Sequence, residues 1–366
     1  MKIKAAVCYE PHAPLVVEEL DLDEPKEGEV LVRISSAGVC HSDYHVMKGE
    51  WNPPLPMVLG HEGAGVVEKV GPGVNLSQPG DHVILNFRPN CGFCKFCQTG
   101  RPVLCNGAPT PRWFLFDGSV RLHKGAQDIH HFARVACFAE YAVVPQSGAV
   151  PVRKDMPLDK ACLIGCSVMT GVGAVINTAA IEPGSSVLVI GCGGVGLNCV
   201  QGARLAGAGR IIAVDMLENK LAYAREFGAT DVVDAGTGDT VEKVRALTGG
   251  DGVDYAFEAI GFSKTIEQAY AATGLGGTTV IVGMAPETDN MTFSALDFPR
   301  TEKTLKGSWY GGARPFADLP KMVDLYLDGK LKVDEMVSRY YKLDEINEAY
   351  DALANGEVAR SIINFN

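Results

Sequence analysis

A compact group of four cysteines is the most chemically specific feature of the amino-acid sequence. Cys91, Cys94, Cys97 and Cys105 are spaced as C-x2-C-x2-C-x7-C. Four thiolates this close together suit a tetrahedral zinc ion that is closed to water and therefore structural in role. Iron–sulfur proteins also use close cysteine pairs, but the long last gap and the lack of a proline after Cys105 favour zinc. A zinc ribbon that binds nucleic acid is a further alternative, which the acidic chain disfavours.

A second group of potential metal ligands is scattered along the chain. Cys40 begins the run CHSDYH, His61 and Glu62 lie together in LGHEGAG, and Cys166 lies in LIGCSVMTG. Two thiolates and one imidazole leave an open coordination position on zinc, which is the arrangement of a catalytic metal ion. Spacing alone does not show that these side chains meet, because scattered cysteines and histidines also occur in cores and at surfaces. A catalytic zinc and ordinary packing therefore both stay open on the residues alone.

A glycine-rich turn indicates where a dinucleotide would bind. The pattern Gly191-x-Gly193-Gly194-x-Gly196 follows the apolar segment SSVLVIG and precedes a helical stretch. Glycines there permit a tight turn, a close approach of the backbone to a pyrophosphate, and close helix–strand packing. Asp215 closes the next strand, where a carboxylate would accept hydrogen bonds from the adenosine ribose and repel a 2′-phosphate. The pattern predicts NAD rather than NADP; a glycine-rich turn without a cofactor is the alternative.

The elements around these motifs fall into two groups. The first third of the chain has short valine-rich segments separated by Gly, Pro and Asp, which predicts a barrel-like β domain. Residues 106–134 show little periodicity and are interpreted as a long surface loop. After residue 160 strands alternate with helices, which predicts parallel βαβ units and an α/β fold class. The C-terminal part is interpreted as two amphipathic helices joined by an extended piece, followed by a last strand.

Composition and charge limit the classes of function. The 366 residues suggest roughly two domains, and 46% hydrophobic against 21% charged residues provides for sizeable cores. Acidic residues outnumber basic ones by 44 to 33, for a formal charge of −11, so no nucleic acid and no membrane is expected as a partner. No apolar run approaches the ~18 residues of a membrane span, and the N-terminus lacks a secretory segment. A cytoplasmic location is expected, where the eleven cysteines would be metal ligands or buried thiols rather than disulfides.

Several segments together resemble the zinc-dependent alcohol dehydrogenases of the medium-chain dehydrogenase/reductase superfamily, in the animal or class III-like branch of bacterial type. The run GHEGAGVVEKVGPGV fits that family's zinc signature, G-H-E-x2-G-x5-G-x2-V. The cysteine lobe, GCSVMTGVGA, GCGGVG and the terminal ARSIINF occur in family order, so the resemblance covers essentially the whole chain. It implies a GroES-like β-rich catalytic domain at 1–167 and 311–366, with the zinc lobe at 88–108. It also implies a Rossmann NAD-binding domain, a doubly wound parallel sheet, at 168–310.

The resemblance further implies two zinc ions per subunit, one catalytic and one structural. The implied catalytic ligands are Cys40, His61 and Cys166, and the implied structural ligands are Cys91, Cys94, Cys97 and Cys105. Glu62 and Asp43 would be nearby carboxylates. Asp43 would orient His61, as acidic residues commonly do for zinc-bound imidazoles.

The activity that the resemblance implies is reversible hydride transfer between a primary or secondary alcohol held at zinc and the nicotinamide of NAD, with an aldehyde or ketone as product. Ser42 would hydrogen-bond the substrate oxygen. His45 would continue a proton path through the cofactor ribose to solvent. Besides the turn glycines and Asp215, the implied cofactor contacts are His41, Thr170, Val195, Lys220, Met284 and Arg360.

The identity of the alcohol is less well specified. Phe87 matches a pocket position of the family. Trp51, Trp113 and Phe114 are candidates for the pocket wall, with ordinary packing as the alternative. An apolar pocket would favour medium-chain or aromatic alcohols. A homodimer is expected from family members that have the long loop.

Other functions remain as alternatives. One is a formaldehyde dehydrogenase that acts on a glutathione or mycothiol adduct, but class III enzymes usually have tyrosine in place of His45 and arginine in place of Pro109. A zinc-free quinone or enoyl reductase and a non-catalytic NAD-binding protein share the fold. The cysteines without an assigned role are Cys8, Cys137, Cys162, Cys192 and Cys199, for which buried packing is expected.

Overall fold

The computed structural model describes residues 1–107 and 110–365, and these form two compact units. Unit 1 comprises Met1–Cys166 and Arg314–Asn366, and unit 2 comprises Ser167–Ala313. The strands are β1 Lys2–Cys8, β2 Val16–Leu22, β3 Glu29–Gly38, β4 Met57–Val58, β5 Glu62–Val70, β6 His82–Leu85, β7 Leu122–Lys124, β8 Gln127–His131, β9 Tyr141–Pro145, β10 Ala149–Val152, β11 Ser186–Ile190, β12 Arg210–Asp215, β13 Asp231–Asp234, β14 Val253–Glu258, β15 Thr273–Ile281, β16 Thr304–Gly307, β17 Val337–Tyr341 and β18 Arg360–Asn364.

Most of the described α-helices lie in unit 2 or near its boundary. The α-helices are α1 His41–Met47, α2 Lys95–Gln98, α3 Leu158–Leu163, α4 Met169–Gly173, α5 Gly194–Leu205, α6 Glu218–Phe227, α7 Thr240–Leu247, α8 Ser263–Ala272, α9 Asp297–Thr301, α10 Pro315–Leu327 and α11 Ile346–Ala354. Single π-helical segments follow α3 and α4, at Ile164–Val168 and Ala174–Ala179.

Unit 1 is built from a closed barrel and a mixed sheet. The barrel has the order β1-β2-β7-β8-β4, and the sheet has the order β10-β6-β5-β3-β18-β17, with β9 also paired to β3. Strand β3 is buried along almost its whole length because it has neighbours on both edges. Its last residue, Gly38, pairs with Glu62 on β5 and with Ile362 on β18. Three segments that are distant in sequence therefore meet at one end of β3.

Unit 2 is the nucleotide-binding type of α/β fold. In the chain as described, its strands form one parallel sheet with the order β13-β12-β11-β14-β15-β16. Counted from β11, this is the order 3-2-1-4-5-6 of a doubly wound dinucleotide-binding sheet. Parallel strands are covered on both faces, which explains why β11 and β12 are nearly continuous apolar runs. The predicted α/β fold class, with a β-rich domain beside a parallel sheet, is confirmed.

The expectation that no apolar segment approaches the length of a membrane span was wrong. The helical stretch Leu158–Ala179 has 22 residues, and an 18-residue window within it has a mean hydropathy of 1.6, so by length and composition it could cross a membrane. In that window 78% of the residues are buried inside the protein. Such burial is what the core helix of a globular domain shows, and it also explains the apolar composition. The stretch was overlooked because glycines and small residues interrupt its large apolar side chains.

The interpretation of 106–134 as a surface loop was wrong in part. Strands β7 and β8 form a hairpin there, and both belong to the barrel. Arg121 is fully buried just before β7, where it donates hydrogen bonds to Glu29 at 2.8 Å and to Asp117 at 2.8 Å. The hairpin is short and polar, so its period-2 pattern is weak. Pro109, where the chain departs from the class III pattern, lies outside the described residues.

Candidate functional site

A buried group of four potential metal ligands lies at the end of β3 in unit 1. One ligand atom from each of Cys40, His61, Glu62 and Cys166 lies within 4.8 Å of the others. Cys40 directly precedes α1, His61 and Glu62 stand at the start of β5, and Cys166 lies in the π-helical turn after α3. The pairing of Gly38 with Glu62 accounts for the meeting of the first two segments. The structure thus brings together side chains whose sequence spacing left the matter open.

Asp43 holds His61 in place. Its Oδ2 atom lies 3.1 Å from Nδ1 of His61, and its Oδ1 atom accepts a hydrogen bond of 2.8 Å from the backbone N–H of Gly60. Both side chains are buried, at 2% and 0% exposure. Gly60 has a φ of 90°, and a side chain there would meet the backbone of Phe138 at 2.6 Å. Nδ1 lies next to the carboxylate without a well-aligned hydrogen bond to it among the described residues, and Nε2 of His61 is the nitrogen left for a metal ion.

The two buried thiols at this site differ in acidity. A hydrogen bond from Cys166 lowers the pKa of Cys40 well below its usual range, and the charge of His61 acts in the same direction. The same hydrogen bond, together with burial, raises the pKa of Cys166. Since zinc binds thiolates, metal binding at this site would release a proton.

Glu62 is paired with an arginine from the far end of the chain. Arg360 begins β18, and its Nη2 atom donates to Oε2 of Glu62, with both side chains almost fully buried. Burial raises the pKa of Glu62 to about 8, against the opposing charge of Arg360. The resemblance did not imply this ion pair. A contact of Arg360 with a cofactor phosphate stays a prediction.

The side chains at this site fit a zinc ion. Two sulfurs and one imidazole are the ligand set of an open zinc site. Glu62 adds a carboxylate beside these ligands, and its Oε1 atom is buried without a hydrogen-bond partner among the residues that the structure describes. A buried oxygen without a partner is costly unless something binds it, so its position is consistent with a cation.

The four cysteines of the lobe also fit zinc. The sulfur–sulfur distances are 3.5 Å for Cys94–Cys97 and Cys91–Cys105, 3.8 Å for Cys94–Cys105 and 4.0 Å for Cys91–Cys97. Four sulfurs at about 2.3 Å from one zinc ion would lie about 3.8 Å apart. Backbone N–H groups of Cys91 and Cys94 point at the sulfurs of Cys105 and Cys91, both at 3.3 Å. Such donors stabilise thiolates, and this arrangement favours a metal ion over a set of free thiols.

Aromatic rings surround His61. Phe87 and Phe132 meet its ring edge-on, with centroids 5.3 and 5.6 Å away, and Trp113 stacks on Phe132 at 6.2 Å. Phe87 and Trp113 were predicted as candidates for the pocket wall, whereas Phe132 was missed. Phe132 stands directly after β8, and only the barrel topology brings it to the site. In the sequence, the run HHF was a weak indication that this segment lies near a site.

Arg134 holds the segment that carries Trp113. Its guanidinium donates to the backbone oxygens of Thr110 at 2.6 Å and Phe114 at 2.9 Å, and it lies over the ring of Phe116. Burial and the nearby charge of Arg112 lower the pKa of Arg134 to about 10. Because the buried guanidinium of Arg134 bonds the backbone on both sides of Trp113, it fixes the segment 110–114 and thereby the position of the Trp113 ring.

The polar residues of the run at 40–51 lie on and after α1. Ser42 Oγ is 3.9 Å from the sulfur of Cys40, which places its hydroxyl beside the metal-ligand group. His45 lies on the same helix, with its ring stacked on Trp51 at 4.6 Å and its Nδ1 atom 2.5 Å from Oε2 of Glu50. His41 is exposed, and its ring meets Tyr44 edge-on. Glu50 was not recognised in the sequence as a partner of His45.

In unit 2 the glycine-rich turn has the geometry of a phosphate-binding loop. Gly191 has a φ of 94°, and a side chain at Gly196 would meet the oxygen of Gly191 at 1.7 Å. No atom of residues 1–107 or 110–365 lies within 4 Å of the position that a side chain would take at Gly193, so the backbone there is open to a ligand. Helix α5 begins at Gly194 with its unpaired N–H groups directed at this turn.

Other predicted cofactor residues of unit 2 lie at strand ends or on helices. Asp215 ends β12, where its Oδ2 atom accepts a hydrogen bond of 2.8 Å from Cys192 in the turn. Lys220 lies on α6 and is partly exposed, Met284 follows β15 and is 45% exposed, and Thr170 is buried on α4. These positions are compatible with the predicted roles, which stay predictions.

Family models match both units. Residues 26–154 match the alcohol dehydrogenase GroES-like domain, and residues 194–328 match the zinc-binding dehydrogenase family. The chain belongs to the zinc-dependent alcohol dehydrogenases of the medium-chain dehydrogenase/reductase superfamily. It is an oxidoreductase that acts on alcohols with zinc and a nicotinamide cofactor, as the resemblance implied.

Particular relatives are similar over their whole length. The NDMA-dependent alcohol dehydrogenase of Amycolatopsis methanolica is 42% identical over 367 residues, covering 99% of each chain. The S-(hydroxymethyl)glutathione dehydrogenase of Paracoccus denitrificans is 40% identical over 374 residues, covering 99% of this chain and 100% of the relative. Among solved structures, benzyl alcohol dehydrogenase from Acinetobacter calcoaceticus has a TM-score of 0.93 at 34% identity, with 100% of both chains covered.

Proposed function

We propose that the protein is an NAD-dependent alcohol dehydrogenase in which Cys40, His61 and Cys166 hold a catalytic zinc ion. The observation that carries the proposal is the meeting of these buried side chains within 4.8 Å, next to Glu62. The four lobe cysteines hold a second, structural zinc ion, so each subunit binds two. When bound, the catalytic zinc acts as a Lewis acid on the substrate oxygen and NAD accepts the hydride.

The side chains around the metal ligands have separate tasks. Asp43 orients His61 through Nδ1, and Ser42 binds the substrate oxygen because its hydroxyl lies beside Cys40. His45 accepts the proton that alcohol oxidation releases and passes it toward solvent. The cofactor contacts of His41, Thr170, Lys220, Met284 and Arg360 belong to the same proposal.

The rings around His61 indicate the class of substrate. Phe87 and Phe132 present their rings to His61, and Trp113 stacks on Phe132. Such apolar surfaces suit an aromatic or medium-chain alcohol. The similarity to a benzyl alcohol dehydrogenase supports the aromatic choice. A thiol-adduct formaldehyde dehydrogenase is the second candidate, because a relative at 40% identity is named for that substrate.

A panel of alcohols separates the two candidates. We expect NAD reduction, followed by absorbance at 340 nm, with benzyl alcohol and medium-chain alcohols and without added thiols. Formaldehyde oxidation that requires glutathione or mycothiol would instead support the second candidate. The panel is repeated with NDMA as an added acceptor, because one relative is named for its dependence on NDMA. A homodimer in the cytoplasm stays part of the proposal.

We expect Asp215→Gly to relax the preference for NAD. Asp215 stands at the carboxyl end of β12 beside the glycine-rich turn, so its loss removes charge-assisted bonds to the ribose worth about 1.5–3 kcal/mol. NAD affinity should fall by roughly tenfold to a hundredfold, while NADP affinity holds or improves. Fluorescence titration with both dinucleotides measures this. Asp231→Gly, at the opposite end of the neighbouring strand, is the matched control. Tighter binding of NADP than NAD by the unaltered protein would refute the assignment.

A further inference from the structure

We propose that Glu50 prepares His45 to accept the proton of the alcohol, by fixing which ring nitrogen is free. The inference rests on the relay role proposed above for His45. It adds a positioning residue that the resemblance did not supply.

The turn after α1 places Glu50 next to His45. Helix α1 ends at Met47, and Gly49 adopts the left-handed region with a φ of 65°. The chain then folds back, so that the N–H groups of Glu50 and Trp51 both donate to the backbone oxygen of His45, at 2.9 and 3.3 Å. The arrangement is local and depends on few contacts outside residues 45–51.

Glu50 is held as a carboxylate. Its Oε1 atom lies 2.8 Å from Nζ of Lys48, and its Oε2 atom lies 2.5 Å from Nδ1 of His45. The hydrogen bond from Lys48 is the main reason that the pKa of Glu50 is lowered, and His45 contributes to the same effect. An ionised carboxylate only accepts hydrogen bonds, so Nδ1 of His45 must carry the hydrogen between them.

The free nitrogen of His45 follows from this bond. In a neutral imidazole with hydrogen on Nδ1, the lone pair is on Nε2. The ring cannot turn easily, because it is stacked on Trp51 at 4.6 Å with an interplanar angle of 22°. Within the part of the chain that the structure describes, Nε2 has no hydrogen-bond partner. The side chain of His45 is 16% exposed and that of Glu50 is 25% exposed, so both have access to solvent.

The proton transfer balances without a further reactant. The O–H bond of the alcohol breaks as the Ser42 hydroxyl takes its proton and gives up its own, and the released proton then forms a new N–H bond at Nε2 of His45. The resulting imidazolium is stabilised by the carboxylate of Glu50, as the aspartate of a hydrolase triad stabilises its histidine. The imidazolium then gives a proton to water or to a buffer base, which restores the neutral ring.

The test compares Glu50→Gln, Glu50→Asp and His45→Gln with Glu68→Gln. Glu68 is an exposed glutamate paired with Arg33 at 3.7 Å, so its replacement makes the same charge change away from the site. We expect E50Q to lose roughly tenfold to a hundredfold in turnover, because a neutral amide no longer selects the Nδ1–H form. Imidazole added to the assay should restore part of the loss in E50Q and H45Q, and E50D should lie between E50Q and the unaltered enzyme.

A second measurement is independent of turnover. Nitrogen-15 NMR of His45 in the unaltered protein should show hydrogen on Nδ1 and a lone pair on Nε2, and this should change in E50Q. Hydrogen on Nε2 in the unaltered neutral protein would overturn the inference even if no variant folds. If H45Q is slow but E50Q turns over like E68Q, Glu50 has no such role and the proposed function stands. If H45Q itself is unimpaired, the relay is wrong and the inference falls with it.

Discussion

Replacing Cys166 with serine is expected to reduce alcohol turnover by on the order of a thousandfold while dinucleotide binding persists. Cys166 is 6% exposed and shares a hydrogen bond with Cys40 inside the buried metal-ligand group. A serine hydroxyl stays protonated at neutral pH and is a poor ligand for zinc. A metal ion that polarises the substrate oxygen contributes several kcal/mol, and each ~1.4 kcal/mol corresponds to a factor of ten in rate.

The control for Cys166→Ser lies one helical turn earlier. Cys162 is also fully buried, and its thiol already donates to the backbone oxygen of Asp159 at 3.2 Å, so a serine hydroxyl can keep that bond. We expect Cys162→Ser to retain both zinc ions and full turnover. Metal analysis should show the loss of about one zinc ion per chain in Cys166→Ser only, with NAD titration unchanged. Wild-type turnover in Cys166→Ser would remove Cys166 from the metal site.

Replacing Cys97 with serine is expected to lower the melting temperature by roughly 10 °C. The lobe has few buried side chains: of the segment 91–105 only Val103 is buried, and the guanidinium of Arg88 binds the backbone oxygen of Val103 at 2.7 and 2.9 Å. Without an apolar core, the lobe depends on the metal ion for its folding free energy. A loss of about 4 kcal/mol corresponds to such a shift in a domain of this size.

The Cys97→Ser variant also distinguishes a structural from a catalytic role for the zinc ion of the cysteine lobe. Calorimetry and metal analysis are carried out on Cys97→Ser and on Cys162→Ser. At a temperature where the variant is still folded, its turnover per folded molecule should stay within about threefold of the unaltered enzyme, because the lobe cysteines lie apart from the group at Cys40. An unchanged melting temperature together with an abolished turnover would contradict the structural role.

Features that depend on near neighbours in the chain could be predicted. The lobe cysteines stand within one short segment, and the glycine turn follows its strand directly. Gly191 and Gly196 are required by contacts inside that turn. The α/β fold class could be predicted for the same reason, since the period of apolar residues reflects the local element.

Features that depend on pairing between distant segments could not be predicted from spacing. Nothing local brings Arg360 to Glu62 or Phe132 to His61, and both follow from which strands are neighbours in the sheet and barrel. The short hairpin at β7 and β8 was overlooked for another reason, since its few polar residues give only a weak alternating pattern. Glu50 is different: its contact with His45 is local, but nothing in the residue types distinguished it from a solvated surface acid.

The sequence by itself determined the types of ligand, the dinucleotide turn and the class of fold, because these are set by residue chemistry and by hydrogen bonds within a few residues. Only the tertiary structure decided that Cys40, His61 and Cys166 share one point. The register of Gly38 with Glu62 across two strands brings the first two together, and the packing of α3 on β3 and β5 brings Cys166 to them. That register is a property of the buried sheet as a whole. Every apolar side chain of the sheet contributes to this register, and no single one of them indicates it in the sequence.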